Sequence, residues 1–218
     1  MRKRIAPWLL SLTLLVVVAL PAAAMAGEPQ IDPSNGKFPV PLAATGGALE
    51  LRYGAVKIAC TNYKASGKFT SATTGTIEAS FEKCTVPGPE NVACTTPGQS
   101  SGTITFSESV FHLVYLTDSK LVPGVLITPP ASGVFGTSSC TGEVKGAGFM
   151  GRLESPGCSG KSKSLAFTYE VNAEGKQAYR QVTGTGTTYS MLLGGTTELT
   201  LISTSTWTLE QEATLTCV

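Results

Sequence analysis

The sequence predicts an all-β fold, a single antiparallel β-sandwich or flattened β-barrel that is braced by disulfides and preceded by a signal-peptide helix. Apolar and polar residues alternate along much of the chain, which is the period of a half-buried strand. Turn-forming pairs such as Pro97-Gly98, Pro123-Gly124 and Gly194-Gly195 separate these runs at intervals of about ten residues. After residue 26, no segment of helix length carries apolar residues at the helical period. Many short strands between regular turns are typical of sandwiches and barrels.

Residues 1–26 are predicted to be a secretory signal. Arg2, Lys3 and Arg4 precede an apolar run over 5–20, and Ala24-Met25-Ala26 forms a small-residue cleavage box. The apolar run is shorter than the roughly 20 residues that a membrane span needs, so no span is expected after signal removal. We therefore expect a secreted protein that is extracellular or associated with the cell wall.

The rest of the chain is divided into a flexible lead-in over 27–47, rich in Gly, Pro and Ala, and one all-β domain over 48–218. The whole chain has a formal net charge of +1. Because the predicted signal holds three basic residues and no acidic one, the exported part is close to neutral. Without a basic cluster, neither nucleic acid nor an anionic membrane surface is an expected partner.

The predicted strands follow from the alternation in chain order. The first two cover 49–51 and 56–60, and Gly54 between them is interpreted as a bulge. A turn at 71–75 leads into a strand over 77–81. Residues 173–180 fit either one helical turn or a hairpin connection. The other strands are 104–106, the continuously apolar and doubly buried run 110–116, 165–171, and 199–217 with its apolar residues at odd positions.

All six cysteines follow the predicted signal, and an even number in an oxidising compartment predicts three disulfides. Cys84 and Cys94 flank a turn-rich loop over 86–91, so their pairing would pin that loop. Cys60 is in phase with inward-facing residues and is expected to join a core-side cysteine, which we take to be Cys140. Cys158–Cys217 completes this set. No metal site or cofactor is expected, because there is no C-x-x-C pair and only one histidine.

One segment, Gly98-Gln99-Ser100-Ser101-Gly102, matches the G-x-S-x-G nucleophile elbow of hydrolases. Its base would be His112 and its acid Glu108. A strand follows the segment where the elbow requires a helix, so a polar turn is the preferred interpretation. His112 lies in an apolar strand and is interpreted as structural.

Two carboxylate pairs, Glu78 with Glu82 and Glu210 with Glu212, each share a strand face and could support glycoside hydrolysis. Because the opposite faces are apolar, exposed strand faces are the preferred interpretation. No catalytic residue is therefore assigned, and a secreted hydrolase that depends on Ser100 or on a glutamate is kept as the alternative function.

Aromatic residues offer a binding function. Tyr63, Tyr179 and Tyr189 are expected at the surface, where their rings could stack on sugars. The leading prediction is an exported, non-catalytic extracellular or cell-envelope protein. It would bind a cell-wall polymer or a surface protein, or would be structural. The sequence leaves its oligomeric state open.

Several stretches resemble a family of uncharacterised exported proteins of high-GC soil bacteria. They are 94–99 with 102–104, 122–126, 144–146, and 167–169 through 175–177. The resemblance implies export and a β-rich, disulfide-containing fold, with no established activity or ligand. Cys60, Cys84, Cys94 and Cys140 lie where that family's cysteines are expected, and Cys158 and Cys217 look like an additional pair.

Overall fold

A computed structural model of the chain describes residues 28–116, 122–182 and 187–217. The predicted signal peptide lies outside these residues. Within them, no helix is long and apolar enough to cross a membrane, and the regular structure is β-strand. The first strands are β1 (Gln30–Pro33), β2 (Val40–Gly46), β3 (Leu49–Tyr53), β4 (Val56–Cys60), β5 (Asn62–Phe69), β6 (Thr74–Glu82), β7 (Thr85–Val86) and β8 (Val92–Ala93). The later strands are β9 (Ile104–Tyr115), β10 (Pro123–Thr128), β11 (Val134–Ser138), β12 (Gly142–Gly146), β13 (Phe149–Ser155), β14 (Lys161–Tyr169), β15 (Met191–Leu193) and β16 (Thr197–Thr216).

Eight of these strands close into an antiparallel barrel, which confirms the predicted all-β fold. Going around the barrel, the order is β2, β5, β6, β9, β10, β13, β14 and β16, and β16 pairs again with β2. Closure leaves no free edge among these strands, and each of them presents alternate side chains to the interior.

The remaining strands pack outside the barrel and use the ends of its two longest strands. β1 pairs with the last residues of β16, and β3, β4, β7 and β8 extend from residues 200–202 of β16. β11, β12 and β15 pair in that order and form a further outer sheet, which joins β9 to β16. β9 and β16 are therefore shared between the barrel and the outer sheets.

The main core fills the barrel and the space under the outer strands. Its largest fully buried side chains include Trp207, Phe69, Phe111, Phe135 and Phe167. A second, smaller cluster lies on the outer surface of β9, β10 and β13, where Val114, Leu116, Leu126, Met150 and Val182 are buried together. The doubly buried strand predicted at 110–116 is thus formed over its last residues, because this cluster covers its outward side.

Three disulfides are present, and one of the three predicted pairings is correct. Cys158 joins Cys217, as expected. The other two expectations are wrong, because Cys60 joins Cys84 and Cys94 joins Cys140. Pairing of Ala59 with Thr85 between β4 and β7 brings Cys60 next to Cys84, with their Cα atoms 4.0 Å apart. Cys94 does lie beside Cys84, but the two residues are joined by a backbone hydrogen bond and not by a disulfide. The N–H of Cys94 donates to the carbonyl of Cys84 at 2.9 Å. Three disulfides in a β-protein indicate an oxidising, extracytoplasmic environment.

Two local predictions need correction, and one open alternative is decided. Residues 30–33 and 40–46, expected in a flexible lead-in, form β1 and the barrel strand β2, with Val40, Leu42 and Ala44 buried. Gly54 is not a bulge, because Tyr53 pairs with Val56 and Gly54 occupies the tight hairpin turn with a φ of 55°. Of the two alternatives predicted for 173–180, the hairpin connection is present and the helical turn is not. A bridge between Val171 and Gln177 closes the connection, in which Asn172 Oδ1 accepts the N–H groups of Glu174 and Lys176.

Candidate functional site

The three tyrosines predicted at the surface do not form one surface. Tyr63 projects into the barrel and is 8% exposed, so its expected surface position is wrong. The outward side of β5 carries Asn62, Lys64 and Ser66, one residue out of phase with Tyr63. Tyr179 and Tyr189 are half-buried and pack together against the outer cluster on β9, β10 and β13. A sugar-stacking platform made of all three rings is therefore not formed.

The residues of the hydrolase alternative lie at opposite ends of β9. Ser100 is in an exposed turn, where its carbonyl accepts the N–H of Thr103, and a strand follows as expected. His112 lies eight residues beyond the start of that strand at Ile104, a distance of about 26 Å for an extended chain. Burial lowers the pKa of His112, and the charge of Glu28 opposes that shift. Ser100 and His112 therefore do not form a nucleophile–base pair.

The carboxylate pairs lie on outward strand faces. Ser66 Oγ donates to Glu78 at 3.0 Å. Hydrogen bonds from Lys64 at 2.8 Å and from Asn62 at 2.9 Å hold the pKa of Glu82 below its usual value. Glu212 is in an ion pair with Lys161 at 3.0 Å. A general acid in glycoside hydrolysis needs a raised pKa, so the environment of Glu82 is opposite to that role.

The core contains a nearly continuous belt of six aromatic rings, five from barrel strands and one, Phe135, from β11. Neighbouring ring centroids along this belt are 5.0–5.8 Å apart. A second group of four rings also lies in the core, in which the centroid of Trp207 is 5.0 Å from that of Phe111 and 4.7 Å from that of Phe167. Five rings of the belt and Trp207 of the second group line a cavity of about 40 Å³ with a mainly apolar wall. In order, the aromatic belt consists of Tyr63, Phe81, Phe106, Phe135, Phe149 and Tyr169.

Three buried hydroxyl groups meet where the two ends of the aromatic belt approach each other. Burial raises the pKa of Tyr63 to about 12 and that of Tyr169 well above its usual value, while the Ser205 hydroxyl beside both phenols opposes these shifts. Ser205 is 3% exposed, and its Oγ lies beside the phenols without a hydrogen bond of normal geometry. We call Tyr63, Tyr169 and Ser205 the hydroxyl cluster.

A second candidate surface lies outside the same part of the barrel. Thr204, Thr206 and Thr208 alternate outward from β16 and are exposed. Across β16 they face Thr168, Ala166 and Ser164 of β14 on one side, and Thr45 and Ala43 of β2 on the other. Strand geometry places these side chains about 6.7 Å apart along a strand and about 4.8 Å apart across strands. We call the six hydroxyl-bearing residues Thr45, Ser164, Thr168, Thr204, Thr206 and Thr208 the hydroxyl face.

The hydroxyl face is uncharged, and its hydroxyls are free to form hydrogen bonds with a ligand. Among the described residues, none of its six hydroxyl groups makes an intramolecular hydrogen bond. Charged side chains lie at its borders, with Lys64 next to Thr45, Arg152 next to Thr168, Lys163 next to Ser164 at the bulge in β14, and Glu210 farther along β16. This face was not among the predicted sites, because the alternation at 199–217 identifies the core side of β16 and not the use of its outward side. The threonines at the even positions between 204 and 208 are the signal that could have found it.

An outer depression of about 280 Å³ lies where β6 pairs with β9. There β9 is bulged, because Ile77 pairs with Ser109 and Ala79 with Phe106, which leaves two β9 residues opposite Glu78 alone. Ser109 Oγ donates to the carbonyl of Ser107 at 3.0 Å within this bulge. Ala65, Ala79 and Phe106 line both this depression and the internal cavity. One layer of side chains therefore separates the cavity from the surface at this point.

Within the described residues, no three His, Cys, Asp or Glu side chains lie close enough together to hold a metal ion. Comparison of the chain with protein-family models, with curated proteins and with solved structures gave no match. The resemblance to exported proteins of high-GC soil bacteria therefore stays a prediction.

Proposed function

We propose that the chain is an exported, non-catalytic binding protein that attaches to a neutral polysaccharide of the cell wall through its hydroxyl face. The observation that carries this proposal is the set of six free hydroxyls on neighbouring barrel strands, with no charged side chain among them. The three disulfides support a site of action outside the cytoplasm.

The chemistry of the hydroxyl face fits a sugar polymer. A hydroxyl both donates and accepts hydrogen bonds, so a row of threonines can match the mixed donors and acceptors of sugar hydroxyls. Each such bond contributes only about 0.5–1.5 kcal/mol, so useful affinity needs several bonds at once. A polymer supplies them because its units repeat, and the closed barrel supports them because its strands are fixed by pairing on both sides.

The first test is co-sedimentation of the purified, oxidised protein with cellulose, chitin, peptidoglycan and the cell-wall fraction of the organism that makes it. We expect saturable binding to a neutral polymer. We also expect binding to change little between low and high NaCl, because charges that could be screened are absent from the face.

A triple variant, T204V, T206V and T208V, tests the face itself. Valine keeps the β-branched shape that suits a strand and removes only the hydroxyl. Losing three hydrogen bonds should weaken binding by about 10-fold or more. The matched control is T197V with T216V, which changes exposed threonines at the two ends of the same strand, outside the face. Binding by the triple variant equal to that of the control, or no binding to any neutral polymer, would contradict the proposal.

A further inference from the structure

The cavity lined by the aromatic belt and Trp207 has the features of a ligand site that is separate from the hydroxyl face. We propose that it binds a small neutral molecule with an apolar body and one hydrogen-bonding group, such as a short aliphatic alcohol. On β16 the two sites are on opposite sides of the sheet, because Ser203, Ser205 and Trp207 face inward while Thr204 and Thr206 face outward.

The apolar part of the cavity sets the size of the ligand. Phe106, Phe149 and Trp207 form much of its wall, together with Ile77 and Ile127. Its volume of about 40 Å³ is larger than the roughly 15 Å³ that one water needs, and far below the roughly 150 Å³ of a cavity known to hold benzene. The site therefore fits molecules between water and benzene in size.

The hydroxyl cluster determines the polar end of the ligand. Tyr63 and Tyr169 line the cavity, and Ser205 lies beside both phenols. A buried hydroxyl without a partner is unfavourable. A ligand hydroxyl that bonds to the Tyr63 or Tyr169 phenol at the cavity wall completes the hydrogen bonding of the cluster and removes that cost. Phenols are protonated in neutral solution, and burial moves their ionisation further from neutrality by raising the pKa of Tyr63 to about 12 and that of Tyr169 as well. The cluster is therefore uncharged and selects a neutral partner.

The bulge in β9 supplies the route of access. Ala65 and Ala79 are paired across β5 and β6, and both line the cavity on one side and the outer depression on the other. Two alanines are the smallest side chains that could close a barrel wall here. A small molecule reaches the cavity by a local displacement of Phe106 beside them, without opening the barrel.

The proposal is tested by NMR titration of the intact, oxidised protein with xenon and with 1-propanol. Both probes should shift the methyl resonances of Ile77 and Ile127 and the indole resonance of Trp207, with saturation. Benzene should not produce these shifts at comparable concentration. Binding of benzene as tight as that of 1-propanol would overturn the proposed size, and the absence of saturable shifts with xenon and 1-propanol would overturn the site.

Two variants separate the apolar from the polar part of the site. A79L places a larger side chain in the shared wall and should abolish the shifts from both probes. S205A removes one hydroxyl, so xenon should bind as before while 1-propanol binds about fivefold to tenfold more weakly. If A79L does not fold, S205A still decides the assignment. Unchanged 1-propanol affinity in S205A would overturn the role of the hydroxyl cluster.

Discussion

At the residue scale, two buried serines on one face of β16 differ in their hydrogen bonding. Ser203 and Ser205 are both buried and both face the barrel interior. Ser203 Oγ donates to the carbonyl of Thr204 at 3.2 Å, whereas Ser205 Oγ has no partner of normal geometry. A sequence shows that both positions are inward, because odd residues of this strand face the core. It does not show which hydroxyl finds a partner, since that depends on side chains from β5 and β14.

This difference predicts opposite effects for the same substitution. S205A removes an unsatisfied buried hydroxyl and should raise the free energy of unfolding by about 1 kcal/mol. S203A removes a satisfied one and should lower it by about 1 kcal/mol. Urea denaturation of the two variants beside the parent protein measures both values. A loss of stability in S205A as large as that in S203A would show that Ser205 is satisfied, and the hydroxyl cluster would then not need a ligand.

At the element scale, glycines opposite aromatic residues allow the barrel strands to pack their rings inward. Gly46 pairs with Tyr63, Gly75 with Phe111 and Gly136 with Phe106, and Gly151 lies against the ring of Tyr169. At each of these glycines, a Cβ atom would lie 2.2–3.0 Å from the ring of its partner. Each ring therefore covers the backbone of its neighbour, and both phenols of the hydroxyl cluster are held in this way.

Adjacent glycines at the end of β2 provide a matched test of this packing. A Cβ atom on Gly46 would lie 2.2 Å from Tyr63 Cε1 and 2.7 Å from the Thr204 carbonyl oxygen, whereas one on Gly47 would meet nothing within 4 Å. G46A should therefore lower the free energy of unfolding by about 1–3 kcal/mol, while G47A should change it little. Thermal or urea denaturation measures the difference. Equal stability of the two variants would contradict the assigned position of the Tyr63 ring.

At the same scale, the alternation of apolar and polar residues predicts some strands of the barrel and not others. The alternation at 199–217 predicted the inward face of β16 correctly, because five of the six large apolar residues in this range lie at odd positions. β2 has the same alternation in its burial, but its inward residues include Ala44 and its outward residues include Pro41 and Ala43. The small contrast in hydrophobicity hid this strand. The hydroxyl face was not predicted for a related reason. Threonine is a common strand residue whether or not its hydroxyl binds a ligand.

At the scale of the whole molecule, barrel closure depends on strand pairs that are distant in the chain. β16 closes the barrel by pairing with β2 on one side and with β14 on the other. Local patterns contain no information about such partners, so the sequence left sandwich and barrel undecided. The two wrong disulfide assignments have the same origin, because Cys60 meets Cys84 only after β4 and β7 have paired. The internal cavity is likewise a product of closure.

The Cys158–Cys217 disulfide fastens one end of the seam between β14 and β16. Beside it, Ser159 N donates to the Leu215 carbonyl at 2.6 Å, Leu215 N donates to the Gly160 carbonyl at 2.9 Å, and Lys161 pairs with Glu212 at 3.0 Å. In the chain-entropy account, a cross-link over a separation of 59 residues contributes about 4 kcal/mol. A separation of 24 residues, as in Cys60–Cys84, contributes slightly less, about 3.5 kcal/mol.

We therefore expect the double variant C158A with C217A to lose about 4 kcal/mol of unfolding free energy, somewhat more than C60A with C84A. Removing both cysteines avoids a free thiol that could exchange with the remaining disulfides. Peptide mapping without reduction establishes that the other two disulfides are intact, and urea denaturation then measures each loss. If the loss in C158A with C217A were well under 1 kcal/mol, the β14–β16 seam would be held by its strand pairing alone. The disulfide would then contribute nothing to keeping the barrel closed.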